Sequence, residues 1–94
     1  MRAPDTNADA TQLALQALVW TLAEPDRAQR LLDTTGLTPD DLRARAGEPA
    51  VLSAALGFLE AYEPDLIACA EGLGVKPEAI VAAHHALDGG WDEA

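Results

Sequence analysis

Residues 24–46 read EPDRAQRLLDTTGLTPDDLRARA, and residues 63–83 read EPDLIACAEGLGVKPEAIVAA. Both stretches begin with Glu-Pro-Asp, continue as an apolar-periodic segment to a glycine, and enter a second segment at a proline followed by an acidic residue. Proline is favoured at the first position of a helix and glycine just after its last residue. An acidic residue at the start interacts favourably with the helix dipole. Each stretch therefore predicts two short helices joined by a glycine turn.

The same start and stop residues recur along the rest of the chain. Five prolines precede apolar-periodic segments, at Pro25, Pro39, Pro49, Pro64 and Pro77. Glycines follow such segments at Gly36, Gly47, Gly74 and Gly89. With the apolar segment at the beginning of the chain, these signals predict helices at about 8–23, 25–34, 39–45, 49–62, 64–72 and 77–87. Valine and isoleucine never alternate over a run, so we expect an all-α fold, a compact bundle of about six short helices.

The repeated stretch also suggests an internal symmetry. Each copy follows a longer apolar segment, so the chain can be divided into two three-helix halves that resemble each other. The alternative is that the halves share only helix starts and stops, which recur in unrelated helical proteins. The sequence leaves both interpretations open.

The length of 94 residues predicts one helical domain over residues 1–94. We expect an ordered core at about residues 8–88 and mobile tails at 1–6 and 89–94. Trp91 lies in the second tail, and we expect it to pack back onto the bundle.

The chain is strongly acidic, with 16 acidic and 6 basic residues and a net charge of −10. Nucleic-acid affinity depends on neutralising phosphates with Lys and Arg, so we expect no nucleic-acid partner. An anionic membrane is disfavoured for the same reason. The acidic surface either keeps the protein soluble or docks a basic partner. One cysteine, no apolar span and no signal peptide predict a cytoplasmic protein.

The residue types that carry chemistry are scattered. His84 and His85 are neighbours, and adjacent side chains on a helix point about 100° apart, so they cannot chelate one ion. Cys69 falls on an apolar stripe and has no CxxC partner. We therefore expect no catalytic residue, no metal site and no cofactor, and we expect His84 to lie at the core edge with one hydrogen bond. An enzymatic role is uncertain and disfavoured.

Four arginines lie on the two predicted helices joined at Gly36, at Arg27, Arg30, Arg43 and Arg45. A DNA-binding helix–turn–helix is a geometric possibility, but its second helix would begin with two aspartates, where residues that contact bases are expected. We expect the arginines to pair with nearby carboxylates or to form a local basic patch.

The apolar periodicity predicts which faces are buried. The fourth helix has the widest apolar face and a reverse side of small residues, so we expect it at the centre, approached closely by another helix. Its predicted core face is Val51, Leu52, Ala55, Leu56, Phe58, Leu59 and Tyr62. The other predicted stripes are Ala28, Leu31, Leu32 and Thr35; Leu66, Cys69, Ala70 and Leu73; and Ile80, Ala83, His84 and Leu87.

The first helix has two apolar faces. The predicted core stripe is Leu15, Leu18, Val19 and Leu22, and a second stripe, Leu13, Ala17 and Trp20, lies on the opposite side. Such a helix is either sandwiched inside the fold or buries one face against another molecule. Under the second interpretation, Leu13, Ala17 and Trp20 form the contact stripe for a partner.

Residues 31–80, LLDTTGLTPDDLRARAGEPAVLSAALGFLEAYEPDLIACAEGLGVKPEAI, resemble a small uncharacterised family common in alphaproteobacteria, the domain of unknown function 3572. The resemblance covers roughly residues 10–88. It is carried by the turn at residues 36–42, by Arg43 and Arg45, by Glu48-Pro49 and by the second Gly-Val-x-Pro-Glu turn. These are mostly capping and core residues, so the resemblance implies a free-standing bacterial cytoplasmic protein and no catalytic residue.

The sequence does not identify the function. We expect a protein that acts through protein–protein contact, either by self-association or as an accessory or regulatory partner of a larger protein. The alternative is a small-molecule binder or an enzyme with its pocket between the two helical halves.

Overall fold

A computed structural model describes residues 6–89 of the chain and the side chains of residues 9–88. Six α-helices follow one another: α1 (Thr6–Leu22), α2 (Pro25–Thr35), α3 (Pro39–Arg45), α4 (Pro49–Glu60), α5 (Glu63–Leu73) and α6 (Pro77–Gly89). The all-α prediction is confirmed, and each observed boundary lies within two residues of the predicted one. None of these helices combines the length and the hydropathy needed to cross a membrane. Apart from Thr6 and Gly89, the predicted tails, with Trp91, lie outside the described residues.

The helix ends are formed as the start and stop residues predict. Gly36 and Gly74 end α2 and α5 with positive φ angles of 79° and 74°, the left-handed conformation that glycine adopts without steric cost. At the start of α2, the Glu24 carboxylate accepts a hydrogen bond from the Arg27 backbone N–H at 2.8 Å. At the start of α3, Thr38 and Asp41 exchange side-chain to backbone hydrogen bonds of 3.0 Å in a capping box.

The core is centred on α4, which packs against α1, α2, α5 and α6. Six of its residues are buried, namely Val51, Leu52, Ala55, Leu56, Phe58 and Leu59. The predicted small-residue side of α4 does allow a close approach. A Cβ atom added at Gly57 would lie 3.5 Å from the His84 ring on α6. The prediction that α4 is the central helix is confirmed. Tyr62 is an exception to its predicted core face because it lies past the end of α4 and is half-exposed.

The prediction for the core face of α1 is wrong for three of its four residues. Leu18 is buried, but Leu15, Val19 and Leu22 are exposed. The buried face consists instead of mostly small residues, Ala10, Ala14, Ala17, Leu18 and Thr21. It faces α4 and α6, the helices with which α1 makes its most extensive packing. Small side chains let helix backbones approach closely, which explains why this face is buried rather than the bulkier one.

In both halves the middle helix ends at a left-handed glycine, Gly36 in α2 and Gly74 in α5, but the third helices pack differently. In α6, Ile80, Ala83 and Leu87 belong to the core. The corresponding helix α3 has no buried residue, and only Leu42 packs against the core from its side. The third helices of the two predicted halves, α3 and α6, are therefore not equivalent in their packing.

The left-handed conformation at Gly36 predicts that replacing two glycines in similarly open surroundings by alanine changes stability differently. A Cβ atom at Gly36 or at Gly47 would meet no heavy atom within 4 Å, but only Gly36 has a positive φ. We expect Gly36→Ala to lower the free energy of unfolding by about 1–2 kcal/mol, because an L-residue is strained there. The matched Gly47→Ala substitution should be neutral or slightly stabilising. Urea denaturation followed by circular dichroism measures both, and equal losses in the two variants would contradict the assignment.

Candidate functional site

Large hydrophobic side chains are exposed mainly along one side of α1. Among residues 9–88, five such side chains are exposed, and three of them follow one another on this helix: Leu15 at 36%, Val19 at 67% and Leu22 at 37%. We call the surface formed by Gln12, Leu15, Gln16, Val19 and Leu22 the α1 outer face. Exposed apolar residues that occur singly are ordinary, but a contiguous row of them is typical of an interaction site.

A groove of about 550 Å³ runs beside the α1 outer face. Its walls come from α1 and from the end of α5, and they are formed by Leu15, Gln16, Val19, Trp20, Gly72 and Leu73. None of these residues is ionisable. The groove thus extends the uncharged apolar surface from α1 onto α5.

Trp20 lines this groove and contacts neighbouring residues on two sides. The Arg27 guanidinium lies 3.6 Å from the centre of the Trp20 ring, a cation–π contact, and its Nη2 donates a hydrogen bond to the Trp20 carbonyl. On the α5 side, a Cβ atom added at Gly72 would lie only 2.9 Å from Trp20 Nε1. The indole therefore has a fixed position between α2 and α5, and glycine at position 72 makes room for it.

The three residues predicted as a contact stripe lie in different surroundings. Ala17 is in the core and has no exposed surface. Leu13 and Trp20 are partly buried and pack against the core; Leu13 lines a groove shared with α6, and Trp20 lines the α5 groove. The accessible face of α1 is thus the one that periodicity assigned to the core. Segment 10–23 contains no charged residue, a signal that its sequence does not distinguish the outer face of α1 from the buried one.

A family model described as a protein of unknown function, DUF3572, matches residues 7–90. The chain belongs to this family. The resemblance inferred from the capping and core residues is confirmed. The matched DUF3572 segment includes all of the α1 outer face and its groove. No curated protein and no solved structure shows a match to the chain.

The residues whose side chains could bind a metal or take part in catalysis include His84. The His84 Nδ1 and the Glu60 carboxylate form a hydrogen bond between α6 and α4, as expected for a histidine at the core edge. Within the described part of the chain, no three His, Cys, Asp or Glu side chains lie close enough together to hold a metal ion. His84 thus links α6 to α4 through Glu60.

Three of the four arginines form ion pairs with carboxylates, as predicted. Arg30 joins α2 to Asp65 on α5 at 2.9 Å, and hydrogen bonding to that carboxylate raises the pKa of Arg30. The other two pairs are local, with Arg43 beside Asp40 and Arg45 beside Glu48. The fourth arginine, Arg27, stacks on Trp20 instead. The basic groups of α2 and α3 are thus engaged within the protein, which gives no support to a surface that binds phosphates.

Two other grooves lie between the halves of the bundle. One, of about 230 Å³, lies between α1 and α6, and its lining is mostly alanine. The other, of about 510 Å³, is lined by Arg30, Thr34, Phe58, Ala61 and Tyr62. Its only charged side chain, Arg30, is already paired with Asp65. Neither groove brings an acid and a base together, as general acid–base catalysis requires.

The close contact between Trp20 and Gly72 predicts a cost for the smallest possible side chain. In Gly72→Ala, the new methyl group collides with an indole that Arg27 holds in place. We therefore expect the free energy of unfolding to fall by about 1–3 kcal/mol. The matched control is Gly57→Ala on α4, where the added atom meets His84 at an ordinary 3.5 Å. This variant should gain roughly 0.5–1 kcal/mol, because alanine is favoured over glycine within a helix. If urea denaturation shows no loss for Gly72→Ala, the contact is not as tight as described.

The buried thiol of Cys69 predicts slow reaction and a pH-dependent stability. Burial raises its pKa from 9.0 to about 11, so little thiolate is present near neutral pH. We expect an aromatic disulfide reagent to react at pH 8 only when denaturant unfolds the chain, whereas an Ile67→Cys, Cys69→Ala variant reacts while folded.

Because the unfolded thiol loses its proton at lower pH than the folded one, stability should fall as the pH rises from about 9 to about 11. Rapid labelling of the folded wild type would contradict this assignment.

Proposed function

We propose that this member of the DUF3572 family acts through protein–protein contact, and that the α1 outer face and its groove form the contact surface. The observation that carries the proposal is the row of Leu15, Val19 and Leu22, exposed on a helix whose opposite side is buried in the core. Covering such a row removes apolar area from water, which contributes roughly 25 cal/mol per Å² before the costs of association. The proposal covers both self-association and an accessory or regulatory role on a larger partner.

The position of the surface supports the proposal as well. The core fixes the small-residue face of α1, and Arg27 and Gly72 fix Trp20. A contact surface held in this way loses little conformational entropy when it binds. The proposal keeps α1 as the contact helix of the original prediction, moves the surface to the Leu15–Val19–Leu22 side, and retains Trp20 at its edge. A cytoplasmic location remains part of the proposal and rests on the single cysteine.

A pair of substitutions tests this surface. Val19 and Ile67 are both exposed aliphatic residues, at 67% and 42%, but Ile67 lies on α5 and does not line the groove. The tagged chain is captured, after mild crosslinking, from cells that naturally contain it. We expect the wild type and Ile67→Glu to retain the same bound species in stoichiometric amount and Val19→Glu to lose it, because a carboxylate buried in an apolar contact costs several kcal/mol.

Either another protein or an untagged copy of the chain as the bound species supports the proposal. Circular dichroism verifies that both variants stay helical, which the exposure of the two positions predicts. If Val19→Glu retains the same species as Ile67→Glu, the α1 outer face is not the contact surface.

A further inference from the structure

We infer that the occupant of the α1 outer face is a second copy of this chain, bound across a two-fold axis. The inference rests on the proposed function, because it names the partner for the same surface. Three observations support it: the charge of the surface, the spacing of its apolar residues and its limited extent.

Charge decides where two copies can meet. Each copy carries a net charge of −10, so two copies repel each other unless they meet where acidic groups are absent. Charges farther apart than a Debye length, about 8 Å at physiological ionic strength, are largely screened, so repulsion is weakest where the facing residues are themselves uncharged. Segment 10–23 contains no ionisable residue, and neither do the walls of the groove. A basic partner would gain nothing from this uncharged surface and would be drawn to the acidic surface elsewhere. The α1 outer face therefore fits a surface that is itself uncharged, such as the same face of another copy.

The spacing of the residues on this face matches what a helix pair requires. Gln12, Leu15, Val19 and Leu22 follow one another at intervals of three, four and three residues, which is the spacing of the buried positions in two-helix coiled coils. In a two-fold contact, both copies use the same face: if residue i of one copy contacts residue j of the other, then residue j of the first contacts residue i of the second. The face must therefore be complementary to itself. The aliphatic residues provide apolar contact, and the Gln12 amide both donates and accepts hydrogen bonds. One such face can thus pack against its own copy.

The size of the α1 outer face sets the expected affinity of the dimer. From Gln12 to Leu22 the helix rises about 15 Å, so the contact is smaller than the roughly 1,600 Å² of a standard interface. We therefore expect a reversible dimer with a Kd on the order of 10–100 µM. Val19 is the most exposed apolar residue of the row and lies within it, so substitutions there should affect the dimer most.

Sedimentation equilibrium of the purified chain tests the inference, over concentrations from about 1 µM to about 1 mM. With increasing concentration, the apparent molecular mass of the wild type should rise from the monomer mass of 9.9 kDa toward twice that value. Ile67→Glu should follow the same curve, and Val19→Glu should stay at the monomer mass. A Val19→Lys variant should also weaken the dimer when alone. An equimolar mixture of Val19→Glu and Val19→Lys should recover it in part at low salt, because opposite charges then face each other.

Each outcome is decisive for one of the two claims. A wild type that stays at 9.9 kDa over the whole range, or a Val19→Glu variant that dimerises like the wild type, overturns self-association through this face. If self-association fails in this way but Val19→Glu still loses a captured species in the cellular experiment, the proposed contact surface stands with a different occupant. If neither sedimentation nor capture responds to Val19→Glu, both claims fail.

Discussion

The rest of the structure depends on the close packing of the small-residue face of α1 against α4 and α6. Ala10, Ala14 and Ala17 are buried on this face with Leu18 and Thr21, and alanine allows the helix backbones to approach closely. The one buried hydroxyl on the face, that of Thr21, donates a hydrogen bond to the Ala17 carbonyl at 2.8 Å, so it is buried without an unsatisfied polar group. Once this face is inside, the rotation of α1 about its axis is set. Leu15, Val19 and Leu22 are then directed away from the core.

Trp20 lies at the boundary between the buried and exposed sides of α1, and it connects the core to the candidate surface. Its ring fills the space above Gly72 and supports the Arg27 guanidinium. The aromatic residue therefore joins α1, α2 and α5 at one corner of the bundle, and it also shapes the groove. A change at this corner would alter stability and the groove together. For this reason the outer positions Val19 and Ile67 separate binding from folding more cleanly than Trp20 does.

Electrostatics limits the functions that this chain can have more than it stabilises the fold. The exposed pairs of Arg43 with Asp40 and of Arg45 with Glu48 are surface ion pairs, a class that contributes little to stability. The pairs do engage basic groups that could otherwise bind an anion. Within the described residues, the α1 outer face is a row of exposed apolar side chains in a segment without ionisable residues. Repulsion elsewhere and apolar attraction at α1 together favour contact through that helix.

The sequence by itself determined the helices, their ends and the central position of α4. The helices and their ends depend on interactions within one or two helical turns, such as a proline at a first position, an acidic residue beside it or the left-handed glycine at position 36. The central position of α4 followed from its wide apolar face. The core faces of α4 and α6 were also predictable, since the large apolar residues of α4 lie opposite its small ones, and the polar Glu78 and His85 mark the solvent side of α6. Only the tertiary structure decided which side of α1 is buried, because segment 10–23 has no charged residue to mark an outer side. That choice depends on how closely α4 and α6 approach, and close approach favours alanine over leucine and valine. The tertiary structure also decided that α3 has no buried residue, although α3 and α6 both begin at a proline followed by an acidic residue. Packing against distant segments is not encoded in these local start residues.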